Sequence, residues 1–296
     1  MKYKIAVLDN IRLLPDAQEQ LKEIAVDSLV FPDDSEVSES ELFKRTSNAQ
    51  AILISTDPWI HIGESYLDAC PTVRYVGVCG TSTANVDLEV CKDRGVTVTN
   101  VKDYGDEPTA EFIFMRLTEL TRGIGEYQWK DMPHELMDKS IGIIGLGALG
   151  KSIAHLALAY KMHANYFSPH RKPDWEKKGL HYLELPELLK TCEIIVISTP
   201  TNVQALGEKE FALIQPNSIL VQASIGTPIN QNAFFDWIKK EGNFAIFDYG
   251  VGEQNYQRYK ELPRVIISKT TSGYSSETRQ RLGQKVIENL KNYFEK

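Results

Sequence analysis

The stretch SIGIIGLGALGKSIAHLALAY, residues 140–160, predicts a buried strand, a tight glycine turn and a helix in direct succession. Its three glycines have the spacing GxGxxG. In this spacing the first glycine permits the turn, the second lets a phosphate approach the backbone, and the third allows the helix to pack closely on the strand. The amino terminus of the helix also attracts the anion. We therefore predict a dinucleotide site formed by Gly145, Leu146, Gly147, Ala148, Leu149 and Gly150.

The next predicted strand, ANYFS at 164–168, ends about 20 residues after the glycines, where a dinucleotide fold meets the adenosine ribose. An acidic residue at that point would accept hydrogen bonds from the ribose of NAD and would repel a 2′-phosphate. The sequence instead has Ser168, followed closely by His170, Arg171 and Lys172. A hydroxyl and two cations can bind a phosphate through charge-assisted hydrogen bonds, which favours NADP over NAD. The alternative is a solvated basic loop.

Short apolar runs recur on both sides of this stretch, and their continuous hydrophobicity suits strands of a parallel sheet that is covered on both faces. The runs are KIAVL (4–8), AILIS (51–55), VRYVGV (73–78), VTVTN (96–100), SIGIIG (140–145), ANYFS (164–168), EIIVIS (193–198), SILVQAS (218–224), NFAIFD (243–248) and RVIIS (264–268). A long helix is predicted at 106–127, between two sets of strands, and an amphipathic helix at 278–296. The fold class is therefore α/β, and a length of 296 residues suits two domains that share a cleft.

The composition limits the partners and the compartment. The formal net charge of −7 and the pI near 5.5 argue against a nucleic-acid partner, because phosphate binding needs a basic surface. No apolar run approaches the roughly 20 residues of a membrane helix, and the amino terminus lacks a signal-peptide pattern, so we expect a cytoplasmic protein with no membrane partner. The cysteines lack CxxC spacing and predict buried, reduced thiols and no metal site. They are Cys70, Cys79, Cys91 and Cys192.

Several stretches, in their order and spacing, carry a resemblance to a known family. They are GTSTANVDLEVCKDRGVTVTNV (80–101), EPTAEF (107–112), MDKSIGIIGLGALGKSIA (137–154), ISTPTN (197–202), NSILVQASIGTPIN (217–230) and NFAIFDYGVGEQ (243–254). Over nearly its whole length the chain resembles the D-isomer-specific 2-hydroxyacid dehydrogenase family. The resemblance implies an oxidoreductase that transfers a hydride between a nicotinamide, NADP or NAD, and a small 2-keto or 2-hydroxy acid.

The same resemblance implies a Rossmann-type doubly wound parallel sheet inserted in a second, flavodoxin-like α/β catalytic domain. The cofactor domain would comprise residues 104–271 and the catalytic domain residues 1–103 plus 272–296, with the active site in the cleft and a homodimer formed through the cofactor domain. The implied substrate-loop residues are Gly80, Thr81, Ser82 and Tyr104. The further implied cofactor contacts are Thr199, Pro200, Ala223, Ser224, Ile225 and Asp248, the last as the partner of the nicotinamide carboxamide.

The sequence departs from the family at two of its three catalytic positions. The family glutamate has a counterpart in Glu253, five residues after Asp248. The family arginine, which binds the substrate carboxylate, is replaced by Ile225, and an isoleucine cannot supply a bidentate fork. The family histidine, which donates the proton, is replaced by Thr270, next to Lys269. Every histidine of the chain precedes residue 182, so a small shift of the alignment restores none.

These departures leave three hypotheses open. In the first, the protein is an oxidoreductase on a changed substrate, with Lys269 as proton donor, because a partly desolvated lysine beside a cationic nicotinamide can titrate near neutrality. Other candidate groups for this chemistry are Tyr104, Tyr249 and Tyr274 as acids and Lys102 as an anion-binding residue. In the second, it is a catalytically inactive NAD(P)-binding regulatory or sensor protein on the same fold. In the third, it is a structural dimer without nucleotide.

Overall fold

The computed structural model describes residues 3–26, 29–33, 37–56, 59–200 and 203–295. The chain divides into two compact units, which we call the terminal unit (Met1–Tyr104 with Ser275–Lys296) and the central unit (Gly105–Tyr274). The last two residues of the ISTPTN stretch, 201–202, and residue 296 of the predicted terminal helix lie outside the described residues.

The terminal unit is built on a parallel sheet of short strands. The strands are β1 (Ile5–Val7), β2 (Ala51–Ile54), β3 (Tyr75–Val78) and β4 (Thr97–Asn100), in that spatial order. A parallel bridge between Tyr3 and Ala25 adds the Ala25 segment on the other side of β1. With that segment counted second in chain order, the spatial order is 2-1-3-4-5, which is the order of a flavodoxin-like sheet.

The helices of the terminal unit are α1 (Pro15–Ile24), α2 (Glu39–Thr46), α3 (Glu64–Ala69), α4 (Leu88–Asp93) and α12 (Ser276–Phe294). The amphipathic helix predicted near the carboxyl terminus is confirmed as α12, and Ser275 caps it by accepting a hydrogen bond from the backbone N–H of Thr278. Helices α1 and α12 approach closely, because a Cβ atom at Gly283 would lie 2.6 Å from the Cβ atom of Ala17.

The central unit contains a parallel sheet of seven strands. They are β5 (Ser140–Ile144), β6 (His163–Phe167), β7 (His181–Tyr182), β8 (Ile194–Ile197), β9 (Ile219–Gln222), β10 (Phe244–Phe247) and β11 (Val265–Ile267). Their spatial order is β11-β10-β9-β8-β5-β6-β7. Counted from β5 as the first strand, this order contains 3-2-1-4-5-6, which is the doubly wound Rossmann order.

The helices of the central unit are α5 (Asp106–Arg122), α6 (Ala148–Ala159), α7 (Pro173–Glu176), α8 (Leu185–Thr191), α9 (Glu208–Leu213), α10 (Gln231–Lys239) and α11 (Glu253–Tyr259), and a 3-10 turn spans Tyr249–Val251. Alternate residues of the central strands belong to two separate buried clusters, which explains why the strand runs are apolar throughout. Ile143 and Val196 belong to one cluster, and Ile195 and Leu220 belong to the other.

The ten strands predicted from apolar runs are confirmed, each within one to two residues at its ends. The two-residue strand β7 was not predicted, because so short a segment has no periodicity to detect. The prediction that the long central helix extends to residue 127 is wrong. Helix α5 ends at Arg122, since Gly123 takes a left-handed φ of 65° and its N–H binds the carbonyl of Glu119.

Candidate functional site

The glycine loop after β5 has the geometry that its spacing predicts. Gly145 has a φ of 97°, and a Cβ atom there would lie 2.7 Å from the carbonyl oxygen of Ser198. A Cβ atom at Gly150 would lie 2.1 Å from the carbonyl oxygen of Gly145, so α6 can approach the turn only without a side chain there. A Cβ atom at Gly147 would meet nothing within 4 Å. The first and third glycines are therefore required by packing, whereas the second faces open space.

Two further features of this loop fit a bound dinucleotide. No side chain caps the amino terminus of α6, and its first turn contains no acidic residue, so its unpaired N–H groups and the helix dipole favour an anion. At the end of the adjacent strand β8, the buried Thr199 Oγ1 atom has no hydrogen-bond partner in the described part of the chain. A buried hydroxyl of this kind is expected to have a partner, and a dinucleotide would supply one.

The ribose end of the predicted site lies after β6. Ser168 is buried there, whereas His170 and Arg171 are exposed. The Arg171 guanidinium donates to Glu176 of α7, with Nε 3.1 Å from Oε1, and lies 5.1 Å from the centre of the Tyr182 ring. Tyr166 donates its hydroxyl proton to the same Glu176 oxygen, with the two oxygens 2.8 Å apart.

Glu176 changes the electrostatics that the sequence suggested for this loop. The Arg171 guanidinium and, second, the Tyr166 hydroxyl hold the pKa of Glu176 below its usual range, so the carboxylate is charged at neutral pH. It orients Arg171 but also competes with any phosphate for it. Lys172 is tied to this group through its backbone N–H, which donates to the Tyr166 hydroxyl at 2.6 Å.

The turn after β9 contains the predicted contacts Ala223, Ser224 and Ile225. Ser224 is buried and donates from Oγ to the carbonyl of Ile197 at 3.3 Å, whereas the side chain of Ile225 is 58% exposed. The buried Gln222, which the sequence reasoning did not single out, donates from Nε2 to the carbonyls of Ser224 and Gly226 at 3.3 and 2.5 Å. A polar residue inside the apolar run SILVQAS was the available signal for it.

Asp248, at the end of β10, connects three segments of the central unit. Its Oδ1 atom accepts from the N–H of Gly250 at 2.8 Å, and its Oδ2 atom accepts from the N–H of Ser272 at 3.1 Å and from the Ser272 hydroxyl. The Ser272 hydroxyl also lies 3.3 Å from Thr109 Oγ1 on α5. The predicted partner of the nicotinamide carboxamide is therefore held rigidly by the chain itself.

The candidate catalytic residues Glu253 and Lys269 are brought together in the central unit. Lys269 Nζ lies 3.5 Å from Glu253 Oε2, which also accepts the hydroxyl proton of Tyr249, while Gln257 donates to Oε1. Tyr249 and then Gln257 lower the pKa of Glu253, and Glu253 raises the pKa of Tyr249. At neutral pH Glu253 is therefore a carboxylate that accepts hydrogen bonds, and Tyr249 is a neutral hydroxyl that donates one to it.

Thr270 lies beside this cluster but contributes its backbone. Its carbonyl accepts from the N–H of Tyr249 at 3.2 Å, and its side chain is exposed. Tyr274, another candidate acid, is also exposed, with its N–H 3.0 Å from the carbonyl of Thr271. The exposed Pro200, two residues past Ser198, completes the predicted contacts in the central unit.

The predicted substrate loop lies in the terminal unit, after β3. Gly80 is buried, and a Cβ atom there would lie 2.5 Å from Thr56 Cγ2. Thr81 donates to the carbonyl of Val101 at 3.2 Å, and Ser82 Oγ accepts from the N–H of Ala84 at 3.3 Å. The Tyr104 carbonyl accepts from Arg281 Nε at 3.1 Å. The loop is thus anchored at its base, while Thr81 and Lys102 are exposed.

Within the described residues, no group of three or more histidine, cysteine, aspartate or glutamate side chains is arranged to hold a metal ion. No helix in the same residues is long and apolar enough to cross a membrane. The four cysteines are buried, as their apolar surroundings predict.

Comparison with known proteins gives a consistent result. A family model described as D-isomer specific 2-hydroxyacid dehydrogenase, catalytic domain, matches residues 5–296. The glyoxylate reductase of Korarchaeum cryptofilum is 28% identical over 284 residues, covering 88% of this chain and 84% of that protein. The hydroxypyruvate reductase of Blautia hydrogenotrophica is 25% identical over 317 residues, covering 98% and 96%. The apo-structure of D-lactate dehydrogenase from Escherichia coli shares the fold, with a TM-score of 0.81 at 20% identity, covering 100% of this chain and 97% of that chain.

Proposed function

The chain belongs to the D-isomer-specific 2-hydroxyacid dehydrogenase family, and on that premise we propose that it is an NAD(P)-dependent oxidoreductase acting on a small 2-keto or 2-hydroxy acid or a related carbonyl compound. The glycine loop 145–150 and Thr199 would hold the dinucleotide, with the turn after β9 and Asp248 beside the nicotinamide. The names of relatives such as the glyoxylate reductase and the hydroxypyruvate reductase favour this function over that of an inactive regulatory protein.

One observation carries the catalytic part of the proposal: Lys269 and Glu253 form an ion pair on hydrogen-bonded strand ends. The N–H of Gly226 donates to the carbonyl of Gly250 at 3.0 Å, and the N–H of Tyr249 donates to the carbonyl of Thr270 at 3.2 Å. These bonds join the segments after β9, β10 and β11. Lys269, Asp248 and the turn after β9 therefore lie at the same edge of the sheet, where its strands end.

In this proposal the nicotinamide supplies the hydride, and the chain supplies orientation and the proton. Lys269 donates a proton from Nζ to the carbonyl oxygen of the substrate as the hydride reaches the carbon. Glu253 positions Lys269 through the ion pair and is kept ionised by Tyr249 and Gln257. Thr270 fixes the backbone of this segment through its carbonyl. The alcohol is released after Lys269 recovers its proton from water.

Replacement of Lys269 tests the proton donor. We expect Lys269→Met to lower kcat by about 10²- to 10⁴-fold, the usual contribution of a general acid, with the Kd for NADPH unchanged. Lys269→Arg should stay equally slow, because a guanidinium keeps the charge but does not release a proton. The assay is NADPH oxidation with a panel of 2-keto acids, ketones and aldehydes, and calorimetry gives the Kd.

Lys260→Met is the matched control. Lys269 Nζ lies 5.4 Å and Lys260 Nζ 5.9 Å from the centre of the Tyr256 ring, and each lysine is 3.5 Å from a glutamate, which for Lys260 is Glu261. The Lys260→Met substitution should leave kcat unchanged. A wild-type kcat in the Lys269→Met variant would show that Lys269 is not the proton donor. Tight NADPH binding without turnover of any carbonyl compound would instead favour the regulatory hypothesis.

Three finer parts of the proposal concern cofactor, assembly and compartment. Ser168, His170, Arg171 and Lys172 support NADP as the preferred dinucleotide, and the family resemblance supports a homodimer formed through the central unit. Exposed apolar side chains in this unit are consistent with such a dimer, and the most exposed are Ile124 at 73% and Met132 at 71%. A cytoplasmic location and the absence of nucleic-acid and membrane partners stay predictions from composition.

A further inference from the structure

We propose that the turn at residues 223–226 determines substrate specificity, and that it selects a carbonyl compound whose neighbouring group is uncharged. The inference rests on the proposed oxidoreductase function and narrows its substrate class. It concerns a ketone, an ester or an amide in place of a free 2-keto acid.

The buried Gln222 side chain holds the turn in place through hydrogen bonds. This side chain is 2% exposed, and its Nε2 atom binds the carbonyls on either side of Ile225, at 3.3 Å for Ser224 and 2.5 Å for Gly226. Gly226 has a φ of 83°, and its N–H is bound to the carbonyl of Gly250. The peptide group before Ile225 is held by the Gln222 carboxamide and the one after it by the Gly226–Gly250 bond, so these two contacts together set the direction of the Ile225 side chain.

The fixed turn presents an apolar side chain at the proposed active site. Ile225 is 58% exposed, although isoleucine is among the residues most often buried. The backbone hydrogen bonds Gly226–Gly250 and Tyr249–Thr270 place Ile225 and Lys269 at the same edge of the sheet. A substrate that extends from Lys269 to the turn after β9 would therefore meet the apolar side chain of Ile225. A carboxylate against that side chain would lose water without gaining a hydrogen bond, which is costly.

The charged groups at this edge of the sheet also disfavour an anionic substrate. The segments 222–226, 248–253 and 268–273 contain two carboxylates, Asp248 and Glu253, and one ammonium group, Lys269. Lys269 is paired with Glu253 at 3.5 Å. The guanidinium of Arg116 reaches one of these segments, with its Nη2 atom 3.5 Å from Ser268 Oγ.

Arg116 does not change this balance. Its Nη1 atom is bound to Glu119 Oε2 at 2.7 Å, so its charge is already compensated on α5. An anionic substrate would have to displace a carboxylate from a cation, whereas a neutral carbonyl compound would not. The dinucleotide would supply the hydride to the carbonyl carbon, Lys269 would give its proton to the oxygen, and the product would be a neutral alcohol.

A matched pair of substrates tests this inference on the full chain. Pyruvate and pyruvamide share the reacting ketone and differ in the charge of the neighbouring group. With NADPH we expect kcat/KM to be at least about tenfold higher for pyruvamide. Ile225→Arg should supply a bidentate partner for a carboxylate and shift the ratio toward pyruvate by about 10- to 100-fold. Val30→Arg, which adds the same charge at a 70% exposed apolar residue of the terminal unit, should leave the ratio unchanged.

Gln222→Leu tests the support of the turn. Leucine fills a similar volume but cannot bind the two carbonyls, so Ile225 should lose its fixed direction. We expect KM for pyruvamide to rise and the preference for it to shrink, with the Kd for NADPH and the thermal midpoint showing whether the fold is intact. A wild-type protein that prefers pyruvate would overturn the inference and leave the oxidoreductase function standing. Failure to reduce either compound, or any other carbonyl compound, would overturn both.

Discussion

Arg171 and Glu176 form an ion pair in which the glutamate both orients the arginine and competes for it. The guanidinium is held between the Glu176 carboxylate and the Tyr182 ring, in a loop where the sequence indicates a 2′-phosphate. The sequence shows the cations of this loop directly. It does not show that one of them is already paired, because only the short helix α7, which begins at Pro173, brings Glu176 back to Arg171.

This pair predicts opposite effects of two substitutions on NADPH binding. Arg171→Ala should weaken NADPH binding by about tenfold and leave NADH binding unchanged, because it removes charge-assisted hydrogen bonds to the 2′-phosphate. Glu176→Gln should strengthen NADPH binding by about two- to fivefold, because it releases an exposed arginine from its ion pair. Calorimetric titration with both dinucleotides measures the two effects.

Lys177→Ala is the control for general charge in this loop, since Lys177 is an 80% exposed cation paired with Asp174. It should change neither affinity. Equal affinities of the wild-type protein for NADPH and NADH would contradict the proposed roles of Ser168 and Arg171.

At the scale of elements, the strand, glycine turn and helix of residues 140–160 combine two kinds of glycine. Gly145 and Gly150 are required by the fold, because a side chain would collide with the backbone of neighbouring residues. Gly147 has a φ of −77° and a ψ of −158°, which any residue can adopt, and faces open space. Its role would therefore appear in binding and not in folding.

Two glycine substitutions separate these roles. Gly147→Ala should leave the free energy of unfolding unchanged or raise it by up to about 1 kcal/mol, because alanine lowers the conformational entropy of the unfolded chain. It should still weaken NADPH binding by at least about tenfold, since the new methyl group occupies the space of the phosphate. Gly150→Ala should lower the free energy of unfolding by about 1–3 kcal/mol through overpacking.

Denaturant unfolding and calorimetry on the same preparations measure both quantities. Full NADPH affinity in Gly147→Ala would show that no phosphate approaches this backbone.

Among the elements, strand positions followed from apolar runs, but the end of α5 depended on whether Gly123 would act as a cap or be carried within the helix.

At the scale of the whole molecule, the proposed dimer predicts a dependence on exposed apolar residues of the central unit. Ile124→Glu and Met132→Glu should each shift the protein toward the monomer, because a buried, unpaired carboxylate opposes association. Val30→Glu, at an equally exposed apolar residue of the terminal unit, should leave the assembly unchanged. Sedimentation velocity over a range of protein concentrations measures the mass. A monomeric wild-type protein would contradict the proposed dimer.

The sequence by itself determined the α/β class, the positions of the strands and the glycine loop. These features are local, since strand burial follows from continuous apolar runs and a left-handed turn follows from glycine. The tertiary structure alone decided which side chains meet: Arg171 with Glu176, Gln222 with the carbonyls around Ile225, and Glu253 with Tyr249 and Lys269. Several of these partners come from different loops, which the parallel crossovers bring to one edge of the sheet. Their spacing in the chain therefore contains little information about their distance in space.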